Sequence, residues 1–187
     1  MQTPASDTHA ARRAGWIAIL TVVTIVSSLV FACAAPFAAL ATVAALHMNR
    51  RDAFVVTGIT WAANQAVGYG LLHYPQTWDS VCWGIAIFAG AIVATAVAAA
   101  VGATLRPFGR ALTVLAAFAA AFAAYEGTLF AATAVLPSDA GAFGLLVVLY
   151  ILKVNALALA GLLLLQFAGA RIGLASGRST GIAPTAA

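Results

Sequence analysis

The side chains that could do chemistry in this chain crowd into one segment. Residues 61–84 read WAANQAVGYGLLHYPQTWDSVCWG. Trp61, Asn64, Gln65, Gly68, Tyr69 and Leu72 recur at helical spacing and so share one helix face. A short turn bearing His73, Tyr74, Pro75, Trp78 and Asp79 follows, and Cys82 opens the next apolar run. Amides and phenols on an apolar helix need a partner, either another helix or a ligand. Asn64 and Gln65 can bond across helices, His73 can be a solvated loop residue, and Tyr74, Trp78 and Trp83 can form an interfacial belt. Cys82 can be an inert buried thiol, a disulfide partner of Cys33, or a reactive or metal-binding thiolate. A thiol at a helix N-terminus has a lowered pKa, which favours soft-metal binding.

A second group lies further along. Glu126 and Lys153 fall at matching depth, about 15–17 Å from one membrane face at 1.5 Å per residue, in successive apolar runs. They are expected to pair, either to fix helix register or to floor a cavity, with Tyr125 and Tyr150 beside them. Asn155 is turned about 200° from Lys153 and is expected to serve a separate contact. Asn64 and Gln65 fall about 10–12 Å from the same face, so a cavity open to the outer side is expected.

Composition defines what must position these groups. The chain has 187 residues, 64% hydrophobic and 7% charged, with a mean hydropathy of +1.02. A soluble domain cannot hide that much apolar surface, so an all-α polytopic membrane protein is expected, with the lipid bilayer as its surroundings. Apolar runs predict six transmembrane helices near 14–33, 36–47, 53–72, 81–101, 111–136 and 142–167, in one domain spanning 1–187. Pro36 divides the first long run. The tails 1–10 and 176–187 read as disordered.

Charge supports this count. With both termini cytoplasmic, Arg12, Arg13, Arg50, Arg51, Arg106, Arg110, Arg171 and Arg178 lie inside, eight of the nine basic residues. The outer turns carry Asp79 and Asp139. The net charge of +4 is therefore a matter of topology, and no nucleic-acid partner is expected. Arg12-Arg13 before an apolar run ending in Val30-Phe31-Ala32-Cys33 resembles a cleaved leader, but Phe31 is a poor neighbour for cleavage and the run continues past Cys33. Small residues repeat every four positions at Ala86, Gly90, Ala94, Ala98 and Gly102, and at Ala116, Ala120, Ala124 and Thr128, which predicts close helix packing. His9, His47 and His73 are scattered, so a bare-ion site has little support. HExxH, Walker-loop and CxxC motifs do not occur in the sequence, so an enzyme is not expected.

The runs NRRDAF and WAANQAVGYGLLHYP, followed by a cysteine at the head of the next span, resemble the BtuM family of bacterial cobalamin transporters. That family is related to the S-components of energy-coupling factor transporters. The resemblance covers roughly Asn49 to Gly84. It implies an S-component-like bundle in the bacterial inner membrane, with cobalamin captured from the periplasmic side. It also implies that Cys82 ligates the corrin cobalt and assists decyanation, with no intrinsic cofactor. An energising module is the implied optional partner, docking through an Ala-x-x-x-Ala motif that Ala14 and Ala18 fit. Asn64, Gln65, Tyr69, His73, Asp79, Cys82, Tyr125, Glu126, Tyr150 and Lys153 are the expected substrate-binding residues. The alternatives are a transporter of another vitamin or of a metal ion, and a membrane protein whose polar residues only fasten helices.

Overall fold

The computed structural model describes residues 4–30, 35–139 and 141–171. These form six helices: α1 Pro4–Val30, α2 Phe37–His47, α3 Arg50–Gly70, α4 Trp78–Leu105, α5 Arg110–Ala132 and α6 Leu145–Arg171. A single 3-10 turn, Arg106–Phe108, joins α4 to α5. No strand occurs among the described residues. α4, α5 and α6 are long and apolar enough to cross a membrane. This is therefore an all-α protein of membrane character.

The expected 1–10 tail is helical from Pro4. Proline suits the first turn of a helix, because its missing N–H would have no partner there. The 176–187 tail and Cys33, with its suggested disulfide, lie outside the described residues. α5 ends at Ala132, short of the expected 136, in a run of turns through Leu136. α3 is capped as its sequence suggests: Asn49 Oδ1 accepts from Asp52 N at 2.9 Å, and Asn49 Nδ2 donates to Asp52 Oδ2 at 2.8 Å. That reciprocal pair satisfies otherwise orphaned groups at the helix start.

Side-chain links fix the helix directions. Arg13 pairs with Asp52, and the Thr21 and Thr60 hydroxyls lie 3.2 Å apart, both at a separation of 39 residues, so α1 and α3 run parallel. The Thr57 and Thr95 hydroxyls meet at 3.0 Å, and those of Tyr69 and Ser80 also meet at 3.0 Å, so α3 and α4 are antiparallel. Ala39 N on α2 reaches Asn155 Oδ1 on α6 at 3.2 Å. Further on, the end of α2 shares a cavity with Gln166, so α2 and α6 run parallel. Successive helices thus alternate in direction. All the described arginines gather at one end.

α2 departs most from expectation. Its 11 residues span about 16 Å, roughly half of a hydrocarbon core, so it is too short to cross alone. It is instead the centre of the bundle: Phe37, Ala38, Ala39, Leu40 and Ala41 are fully buried, and α3, α4, α5 and α6 all pack on it. α6 lies chiefly against α2 and shares no packed face with α5. α4 and α5 form the largest contact. Gly90, Ala94, Ala98 and Gly102 supply the expected buried stripe on α4. On α5 the buried stripe is Thr113, Ala117, Ala121 and Tyr125, one position beyond the expected row. Phe118 and Phe122 are buried beside it, and their bulk sets which face turns inward.

Candidate solute-binding site

At the end of the bundle opposite the arginines, α3 and α4 splay around a cavity of about 340 Å3. Asn64, Gln65 and Tyr69 line it from α3, and Ser80, Trp83 and Gly84 from α4. Tyr74 and Pro75 close it from the turn, while Ala35 and Tyr125 reach it from the centre of the bundle. The expected α3 face is therefore real up to Tyr69. Leu72 falls beyond the helix end and is exposed.

Each wall has a local cause. Trp61 Nε1 donates to the Gly84 carbonyl at 2.8 Å, and its ring packs on Phe88 at 4.7 Å, which ties the two helices together. Gly84 leaves room at this crossing for the Gln65 amide. A Cβ there would stand 2.7 Å from Gln65 Oε1, so a larger residue would push the amide out of place. Tyr69 and Tyr74 meet edge to face at 6.0 Å, and Tyr74 N donates to the Gly68 carbonyl at 3.0 Å. Trp83 Nε1 donates to the Pro137 carbonyl at 2.9 Å, fastening α4 to the α5–α6 connection. The cavity so built has amide, hydroxyl and aromatic walls without a charged lining side chain. Such a lining hydrogen-bonds and stacks on a neutral or mixed organic solute.

The other expected residues stand elsewhere. Ser80, Trp83, Gly84 and Ile87 form the cavity face of α4. Cys82 lies about 200° from Ser80 around the helix, off that face, as a half-buried free thiol. His73 is exposed and takes a left-handed conformation, φ 54°, that reverses the chain after α3. It is a turn residue, and histidine is among the side chains that tolerate this region. Asp79 joins Trp83, Pro137 and Asp139 around a separate outer depression of about 540 Å3.

The expected Glu126–Lys153 pair does not form. Lys153 is exposed on the outside of the bundle, and both Glu126 carboxylate oxygens are buried without a hydrogen-bond partner. α2 lies between the two helices, which keeps them apart. From the helix ends at Ala132 and Leu145, Glu126 is about 9 Å deep and Lys153 about 12 Å, both shallower than expected. Tyr150 is 47% exposed and does not line the cavity. Tyr125 does, and its ring lies 6.1 Å from that of Phe37. Among the described residues, no cluster of three His, Cys, Asp or Glu side chains could hold a bare metal ion.

Ser80 and Gly84 are cavity residues that the sequence did not single out, and the separate contact expected of Asn155 is a fastening of α2. Asn155 is fully buried. It accepts from Ala39 N and donates from Nδ2 to the Ile151 carbonyl at 3.1 Å. α2 has no side-chain cap of its own after Pro36, so Asn155 caps it from another helix. The sequence sign was a lone amide in an apolar helix, half a turn from the lysine.

No family model matches the chain, and neither a curated protein nor a solved structure does.

Proposed function

We propose that this chain is a solute-binding membrane protein of S-component type, with all six helices inside the bilayer and both termini on the arginine-bearing side. The α3–α4 cavity, polar and aromatic yet free of lining charge, carries this reading. The alternating helix directions support it, as does the gathering of arginines at the end opposite Asp79 and Asp139. Within this reading α2 is a half-length helix shielded by its neighbours, and its buried backbone is satisfied inside the protein.

Cobalamin is the solute we propose, on the strength of the NRRDAF and WAANQAVGYGLLHYP resemblance. Tyr69, Tyr74 and Trp83 offer faces to a flat macrocycle, and Asn64 and Gln65 offer amides to its side-chain amides. A whole cobalamin is larger than the cavity, so seating it needs the turn over 71–77 to move outward. Cobalt ligation by Cys82, with the decyanation that accompanies it, belongs to this reading only if the first two turns of α4 rotate toward the cavity. The small volume favours a second reading, another vitamin-sized organic solute. An energising module would meet Ala14 and Ala18, which are both exposed on α1.

Uptake by cells expressing the protein, compared across vitamins and divalent metals, separates these readings. Cobalamin accumulation well above that of an empty-vector strain is expected. Visible spectroscopy of the purified complex then reads the thiol. A cobalamin spectrum that changes in wild type and not in Cys82→Ala assigns the ligation, and identical spectra remove it. Uptake of another vitamin without cobalamin would replace the first reading by the second.

A further inference from the structure

The opposite end of the bundle holds a second cavity, which no motif in the sequence announces. It measures about 380 Å3 and opens between the ends of α2, α4, α5 and α6. Arg106 and Arg110 line it, together with His47, Thr113 and Gln166. Gly109, at φ 104°, makes the turn that sets the two arginines on either side of one bend. Neither arginine makes an ion pair among the described residues. No carboxylate is among the residues that line the cavity, and Asp52, at the same end, is already held by Arg13 and Asn49. Two cations that cannot be deprotonated therefore face one cavity with no counter-charge in its described lining.

Gln166 gives the second, independent sign. It is 6% exposed and lines this cavity, and its Oε1 is buried without a hydrogen-bond partner. A buried acceptor left unpaired is costly, so a donor brought by a ligand would stabilise the site. Thr113 already donates its hydroxyl to the Leu105 and Gly109 carbonyls, both at 2.8 Å, and so can only accept from a ligand. The cavity thus asks for an anion that also carries a hydrogen-bond donor. Phosphate monoanion and dianion have an O–H beside their charge, and a phosphoglycerol headgroup has hydroxyls beside its charge. Basic pockets between membrane helices hold such headgroups through the same forces.

We propose that this cavity binds a phosphate that carries an O–H donor on itself or on its attached glycerol, its charge held by Arg106 and Arg110 and its donor received by Gln166 Oε1. The site stands apart from the α3–α4 cavity and does not depend on what that cavity binds. The source is either a lipid headgroup or free phosphate. The test uses the purified full-length protein in detergent at fixed ionic strength. Thermal stabilisation is titrated with inorganic phosphate and with sulfate, and native mass spectrometry reads retention of phosphatidylglycerol against phosphatidylcholine. Stabilisation by phosphate well above sulfate assigns a soluble source. Preferential retention of phosphatidylglycerol assigns a lipid source. In either case Arg106→Gln with Arg110→Gln should weaken binding about tenfold or more. Gln166→Leu should remove the discrimination between phosphate and sulfate, or weaken retention of phosphatidylglycerol, while the unliganded protein melts no lower than wild type. Equal effects of phosphate and sulfate together with equal retention of the two lipids overturn the proposal. So does selective binding that survives both sets of substitutions.

Discussion

Phe37→Ala is expected to destabilise the purified protein by about 3 kcal/mol, read as a lowered thermal or denaturant midpoint in detergent. Phe37 is fully buried at the start of α2, and its ring faces Tyr125. Truncation opens a hole where four helices meet, and packing there is tight because Ala38, Ala39 and Ala41 bring backbones close. The value sits at the lower end of the range for this substitution, because lipid and detergent tails solvate an apolar ring as well as the protein does. What is lost is mainly packing. The same truncation should weaken solute binding, since Tyr125 lines the cavity and rests on Phe37. Leu164→Ala is the control: Leu164 is 70% exposed on the outside of α6, and its loss should change little.

Asn155→Leu carries the second large effect, about 1–3 kcal/mol of lost stability. The substitution keeps the number and branching of heavy atoms, so no cavity term enters. It leaves the Ala39 N–H buried without its acceptor at the head of a helix that has no other side-chain cap. Ala39 and Asn155 are both fully buried, so the full cost of the orphaned donor should appear. Lys153→Leu, two residues away, is the informative contrast. A buried Glu126–Lys153 ion pair would make its loss cost about 3–5 kcal/mol. Exposed on the outer face of α6, Lys153 should instead be replaceable by leucine with little or no loss in a melting experiment.

These two residues also show how far the sequence could be read. Helix number and rough extent follow from apolar runs broken by Pro36 and by arginine pairs, because hydrocarbon thickness and backbone satisfaction leave few other solutions. The Asn64–Gln65–Tyr69 face was legible for a related reason: a 3.6-residue period puts them on one side whatever the tertiary fold. Neighbourhood was not legible. Glu126 and Lys153 lie on successive helices joined by a short connection, which argues for contact. The fold inserts α2 between them instead, and nothing local to either residue announces that. Helical phase misled in the same way at Cys82. α4 begins at Trp78, so Cys82 falls in its second turn and not at its start, and only the contacts of Ser80, Trp83 and Gly84 reveal which side of that helix faces the cavity. Asn155 was recognisable as separate from Lys153, yet its partner is a backbone N–H, which has no sequence signature.

The central claim is that the α3–α4 cavity is where solute binds, and cavity filling tests it most directly. Ser80→Phe puts a ring into the space between Tyr69 and Trp83 and removes one side-chain hydrogen bond, worth about 1 kcal/mol. Equilibrium dialysis of labelled cobalamin against wild-type and Ser80→Phe protein, each shown folded by its melting transition, gives the comparison. Saturable binding to wild type that falls at least tenfold in folded Ser80→Phe is the predicted result. Saturable binding that folded Ser80→Phe retains in full would contradict the account.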